Sequence, residues 1–310
     1  MVVSGKEGFE MKDRNRIREG NRVADVAIYL LAALAAFITL YPIYYVLIQS
    51  ISEPRYAATM RVYWWPKGLY FGGYEKILTD PKLWLSYRNT FVYAIAQTLL
   101  MLFTCSTAAY ALSVKTLRHR KLINLFLLIP MYFSGGIIPL FLLIMRIGLY
   151  NTVWSIILPG AYSIWYIILT KAYFGTIPES LREAAYIDGA NNYQTLFNVY
   201  LPTSKPILAV IALYTIVGVW NSWYHPSIFL PDQSLQPLQL YLRRILIEQS
   251  VDLSVDLITS AELAGMQKDR LTSIQLKYTV IIVSSLPMII AYPFFQKYFV
   301  KGVMLGSLKE

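Results

Sequence analysis

PESLREAAYIDGANNYQTLFNVYLP, from Pro178 to Pro202, is too polar to cross a bilayer yet is patterned for helix throughout. Ser180 stands three residues before Glu183, the spacing of a capping box, which predicts that a short helix starts there. Ala184 and Ala185 follow, strong helix formers whose small side chains let another surface come close. Gly189, without a Cβ, permits a sharp turn. Beyond it Tyr193, Leu196, Phe197 and Val199 to Leu201 resume helical spacing until Pro202, which is expected to end the segment. A short helix, a glycine turn and a second helix read together as a projecting docking element.

Around this polar stretch the chain is apolar. Of its 310 residues 56% are hydrophobic and only 15% charged, a composition that belongs in a bilayer. A hydrocarbon core about 30 Å thick needs roughly 20 apolar residues at helical rise. Uncharged runs of about that length extend over Val26–Ser52, Asn89–Val114, Leu122–Met145, Thr152–Thr170, Pro206 to about Leu230, and Tyr278–Gln296. The third contains Pro130, Gly135, Gly136 and Pro139 and is expected to kink against protein. The fold class expected is therefore all-α: a polytopic membrane protein of six transmembrane helices with a helical loop on the cytoplasmic side.

This organisation divides the chain into an N-terminal tail at 1–25, helices one to four within 26–170 with an external loop at 53–88, the docking loop at 171–205, helices five and six within 206–296 with an external loop at 231–277, and a C-terminal tail at 297–310. Lys and Arg collect on cytoplasmic loops, so Lys6, Lys12, Arg14, Arg16, Arg18 and Arg22, and Lys115, Arg118, Arg120 and Lys121, place both termini in the cytoplasm. Arg55, Arg61, Lys67, Lys76, Lys82 and Arg88 fall outside in this topology, against that rule. The net charge of +10 is then a matter of topology, and no nucleic-acid partner is expected. Trp64, Trp65, Pro66 and Tyr70 suit a segment at the lipid headgroups, and 231–277 is expected to form an ordered external lobe. The polar N-terminal stretch predicts no cleaved signal peptide.

Few groups can carry chemistry. Cys105, the single cysteine, lies within an apolar run and reads as a small buried residue. His119 and His225 fall in loops on opposite faces, and neither a metal site nor a shared catalytic site is expected. Glu183 and Asp188 lie in a solvent-facing loop with no pocket to tune them. No Gly-rich phosphate loop of the G-x-x-x-x-G-K-[ST] type is present, so no ATPase activity is expected of this chain.

At the docking stretch the chain resembles the inner-membrane permeases of binding-protein-dependent ABC importers, whose loop carries E-A-A, three residues, G, nine residues, I-x-L-P. Glu183, Ala184, Ala185, Gly189, Val199, Leu201 and Pro202 stand at those positions, with Val199 replacing isoleucine. It is similar in particular to the carbohydrate permeases of the maltose-type second-subunit and LplC-like group. Asn89 and Thr90, the A-Y-A-L-S of Ala109 to Ser113, Gly136 to Leu140, Gly148, Leu149, Asn151, Thr152, Leu158, Pro159, and the end from Tyr292-Pro293 through Gln296 to Met304 carry that similarity. The family usually finishes in K-G, whereas this chain ends in Lys309 and Glu310.

The resemblance implies a type I importer permease in a bacterial plasma membrane. Glu183, Ala184, Ala185, Asp188, Gly189, Ala190, Leu201 and Pro202 would seat in a cleft of an ATP-hydrolysing subunit. It further implies as partners a second homologous permease, a dimer of ATP-binding subunits holding ATP and Mg, an extracytoplasmic solute-binding protein, an oligosaccharide and membrane lipid, with no cofactor on this chain. Sugars present apolar ring faces and hydroxyl edges, so aromatic planes beside hydrogen-bonding groups are the candidates for a pathway. Trp220, Asn221, Trp223 and Tyr224 fit, although an aromatic belt would use the same residue types, and Tyr132 and Ser134 beside the kink are further candidates. The resemblance implies an oligosaccharide as cargo, and LplC-like relatives include importers for uronate-containing fragments such as alginate or pectic pieces, whose carboxylates Arg146, Arg243 and Arg244 on the outer side would attract. Neutral oligosaccharides, or another solute such as a peptide, are the alternatives.

Overall fold

A computed structural model describes residues 4–114, 116–251, 274–291 and 293. The principal helices are α1 (Ser4–Ser50), α2 (Pro81–Ser113), α3 (Arg120–Tyr132), α4 (Ile137–Arg146), α5 (Ile164–Phe174), α6 (Glu179–Ile187), α7 (Asn192–Thr203), α8 (Lys205–Trp220), α9 (Tyr224–Phe229), α10 (Leu238–Val251) and α11 (Ile274–Ala291). Among the described residues the only extended pairing is one antiparallel bridge, between Ser52 and Leu69. Among the described residues three helices are long and apolar enough to cross a membrane: Ala24–Ser50 within α1, α2, and α11. Counting each of the bent pairs α3–α4 and α7–α8 as one span raises the number to five, and α5 is a shorter apolar helix.

The chain divides into two compact units. The first joins the residues up to Gly73 with the segment ending at Ile282. In it the Gln275 amide donates to the carbonyls of Ser50, Ser52 and Tyr70, which ties the start of α11 to the chain leaving α1. Trp64 lies against Phe37 and Tyr41 of α1, and the Tyr41 and Tyr44 hydroxyls donate to the carbonyls of Tyr63 and Trp64. An open apolar groove of about 500 Å³ runs between these rings and Trp65.

The second unit is organised on α2, which packs along both α8 and α5. Asp80 caps it by accepting from the Lys82 N–H at 2.9 Å, with Pro81 in the first turn where a missing N–H costs nothing. The helix therefore starts ahead of Asn89, which with Thr90 had been expected to open the span. Both are buried in its interior, where Asn89 donates to the carbonyls of Ser234 and Gln236 and Thr90 accepts from the Leu238 N–H. Tyr93, Ala94, Ile144, Ile156, Val219 and Phe229 form one core; Met101, Cys105, Leu112, Ile167, Ile207 and Ile211 form the next along α2.

Three expected helices are interrupted. The run Leu122–Met145 is bent by 108° between α3 and α4, far beyond a kink. Gly136 sits at φ +80, ψ −174, a conformation that is essentially glycine's alone. The run Thr152–Thr170 was expected to be one helix, but helix Trp154–Ile157 stops before Pro159 and α5 starts only at Ile164, capped by Ser163. Thr104 of α2 fixes the break by donating to the Ala161 carbonyl at 2.6 Å, and Gly160 lies against Gln97, where a Cβ would collide. The fifth run ends as helix at Trp220 and resumes as α9. The expected external lobe is described only to Val251, where α10 ends; its remainder, the end of the sixth run and the C-terminal tail lie outside the described residues.

Candidate functional site

The docking stretch folds as two helices around a turn that satisfies its own backbone. Helix α6 starts at Glu179, with Pro178 as its N-cap and no capping side chain, so the box expected from Ser180 and Glu183 is not formed. A box stands beyond the Gly189 turn instead: the Asn191 side chain accepts from the Gln194 N–H, and the Gln194 side chain accepts from the Asn191 N–H, opening α7. Between the helices Gly189 takes φ +80. Its N–H donates to the Tyr186 carbonyl and the Ala190 N–H to the Ala185 carbonyl, the paired bonds of a Schellman end.

Pro202 does not end the second helix, which runs to Thr203. Proline offers no N–H to the carbonyl a turn earlier, and the preceding turn, Leu196–Tyr200, widens to π geometry, with the Leu201 N–H reaching back to the Leu196 carbonyl. The Thr203 hydroxyl donates to the Val199 carbonyl at 2.7 Å. The break falls at Ser204, where α8 leaves at 82°.

No residue of α6 is buried. Glu183, Ala184, Asp188 and Gly189 are exposed, and so are large apolar side chains: Leu181, Ile187 at 86%, Tyr193 at 74% and Phe197. The opposite side is anchored. Leu196 and Tyr200 are buried with Ala109 and Tyr110 of α2 and Phe174 of α5; the Tyr200 ring stands edge-on to Tyr110 at 5.0 Å and to Phe174 at 5.1 Å. Burial holds the Tyr200 phenol above its ordinary value. Asn192 Oδ1 accepts from the hydroxyls of both Tyr110 and Tyr186. Arg182 pairs with Glu179 at 3.2 Å and lies over the Tyr186 ring. Tyr110, Asn192, Arg182 and Tyr200 carried no motif signal.

The proposed pathway residues scatter. Trp220 is 3% exposed, its ring packed on Tyr87 and Phe91 and its indole N–H donating to the Ser284 carbonyl, so it presents no free face. Asn221 turns its amide back to the Val217 carbonyl. Trp223 and Tyr224 lie together, edge to face at 5.7 Å and partly exposed, and the Arg243 guanidinium sits 3.5 Å from the Trp223 ring centre. Tyr132 is exposed on its own, and the Ser134 hydroxyl accepts from the Gly136 N–H at the bend. The turn 231–237 is pinned by Asn151, whose N–H donates to the Phe229 carbonyl and whose Oδ1 accepts from the Asp232 N–H.

The chain thus combines apolar helices able to cross a bilayer with an exposed helix–turn–helix packed against the end of α2. The family described as "Binding-protein-dependent transport system inner membrane component" matches residues 119–305, and the chain belongs to it. Protein LplC of Bacillus subtilis (strain 168) is 31% identical over 94% of this chain and 96% of its own length. The polygalacturonan/rhamnogalacturonan transport system permease protein YtcP of the same strain is 32% identical over 93% of this chain and 99% of its own. Among solved structures, a chain of a bacterial ABC transporter involved in the import of the acidic polysaccharide alginate superposes with a TM-score of 0.78 at 33% identity, covering 90% of this chain and 98% of that one. The family is one of transport permeases, not of enzymes.

Proposed function

We propose that this chain is one of two similar permease subunits of an ATP-driven importer of oligosaccharides, and that its cargo is an acidic, uronate-containing oligosaccharide. The observation that carries the reading is the α6–α7 element, exposed and apolar on one side and packed into α2 and α5 on the other, in a chain 33% identical to an alginate importer subunit over nearly all of that subunit. Leu181, Glu183 to Ala185, and Ile187 to Ala190 would seat in the ATP-binding subunit, with Leu201 and Pro202 setting the second helix. Glu183 and Asp188 would pair with its basic residues. ATP and Mg belong to that partner, and closure of its dimer would carry the docking elements together. A solute-binding protein delivers the sugar from outside. A ligand shifts such a two-state system only through contacts that differ between the states.

In this reading six helices cross the membrane, with the broken run Trp154–Phe174 as the fourth and both termini in the cytoplasm. An acidic cargo is supported by the relatives named for polygalacturonan and alginate. It is supported also by Arg243: a guanidinium laid over an indole keeps its in-plane N–H donors for a carboxylate. Trp223 and Tyr224 remain the pathway candidates with open ring surface. Of the three outward arginines Arg244 is engaged by Gln236, and Arg146 and Arg243 are exposed.

The test is ATPase activity of the assembled complex in liposomes with its binding protein and a panel of neutral and uronate oligosaccharides. Stimulation by oligogalacturonate or oligoalginate alone supports the acidic reading, whereas stimulation by neutral sugars alone replaces it with a neutral-sugar importer. Glu183→Arg is expected to insert normally yet hydrolyse ATP without transport; normal transport would remove the docking assignment.

A further inference from the structure

We infer that Tyr110, Asn192 and Tyr186 form a hydrogen-bonded joint that transmits movement of the docking helix α6 into the transmembrane helix α2, an inference that rests on the docking function proposed above. Three elements meet at one oxygen. Tyr110 stands in the last turn of α2, Tyr186 in the last turn of α6, and Asn192 opens α7. Asn192 Oδ1 accepts from the Tyr186 hydroxyl at 2.7 Å and from the Tyr110 hydroxyl at 3.2 Å, using both lone pairs of a single amide carbonyl.

The joint has a structural reason to matter. With no buried residue of its own, α6 is not held by a core, so its position depends on its ends and on directional bonds. Its C-terminal end is closed by the Gly189 turn, and the residue three beyond Gly189 is Asn192 itself. The Tyr186 ring is steadied by Arg182, whose guanidinium lies 5.8 Å from its centre and pairs with Glu179. The Tyr110 ring is fixed edge-on to Tyr200 in the anchoring cluster. The two phenols, one packed edge-on in the cluster and one beside Arg182, meet at an acceptor between them, so a displacement of α6 is passed to α2 through these bonds. Helix α2 is the one that packs along α5 and α8, and a push on its end reaches both. These three are positioning residues; none touches cargo.

Removing a hydroxyl while keeping the ring separates this role from packing. Tyr110→Phe, Tyr186→Phe and the double variant would be reconstituted with the complete complex, with Gly189→Pro as the control for docking. Each single variant is expected to retain the ATP-binding subunits yet raise ATP hydrolysed per sugar carried at least threefold. The double variant is expected to be no worse than either single one, because the two hydroxyls serve one connection. An unchanged ratio, or effects that multiply, overturns the joint. A second measurement needs no sugar: hydrogen exchange on adding ATP and Mg should change in both 179–187 and 105–113 of the native complex. In Tyr186→Phe it should change in 179–187 alone, and a change persisting in 105–113 rejects the proposal. Uncoupling by Gly189→Pro with normal coupling in the tyrosine variants rejects the joint only, whereas normal coupling in Gly189→Pro rejects the docking function as well.

Discussion

Gly189 shows how one residue sets the turn between α6 and α7. At φ +80 the backbone is in the left-handed region, and a Cβ there would meet nothing within 4 Å, so the demand for glycine is torsional and not steric. Gly189→Ala is therefore expected to cost only about 1–2 kcal/mol, read as weaker amide protection over 179–190 with the rest of the chain unchanged. Gly189→Pro also removes the N–H that reaches the Tyr186 carbonyl and should abolish the turn. This glycine is legible in the sequence because its effect is local. Tyr110 and Asn192 are not: 82 residues separate them, and nothing near either one announces the partner.

Among the elements, helix ends were the least legible feature. Ser180 and Glu183 have the spacing of a capping box, and so do Asn191 and Gln194; the structure uses the second pair because α6 has already begun at Glu179. The turn at Gln233–Leu235 is capped by Asp232, whose side chain accepts from the Ser234 N–H. Hydrogen bonds from the Ser234 backbone and side chain hold the Asp232 carboxyl below its ordinary value. A depressed carboxyl contributes stability that is fully present above its unfolded value and is lost as pH falls through the lower folded one. That turn presents the Ser234 carbonyl to Asn89. The unfolding midpoint of the native protein should thus fall more steeply than that of Asp232→Asn on acidification below the ordinary aspartate range, with parallel curves from neutral pH down to that range. Parallel curves throughout would remove the capping role.

For the molecule as a whole, apolar composition predicts that the chain crosses a membrane but not how often each run does so unbroken. Among the described residues the first, second and sixth runs fall in the three long helices, the third is a bent pair, the fourth is split at Pro159 and Gly160, and the fifth breaks after Trp220 before α9. The proposed six-span arrangement can be tested by cysteine labelling, since the native Cys105 is buried and should give little background. Thr116→Cys and Ile187→Cys should react only from the cytoplasmic side, and Lys67→Cys and Ser234→Cys only from outside; all four positions are exposed. Labelling of Ser234→Cys from the cytoplasm would overturn the topology.

The sequence alone determined that the chain is helical, belongs in a bilayer, and carries a polar helix–turn–helix with its turn at Gly189. Those features follow from the exclusion of charge from hydrocarbon and from conformational preferences acting over a few residues, both written along the chain. Only the tertiary structure decided the 108° bend at Gly136, the break that Thr104 fixes at Ala161, the burial of Trp220, and the place of Asn89 within α2. An apolar run is equally content against lipid or protein, so its hydrophobicity does not fix its direction. Direction is set by hydrogen bonds and packing between residues far apart in sequence, which no local pattern records.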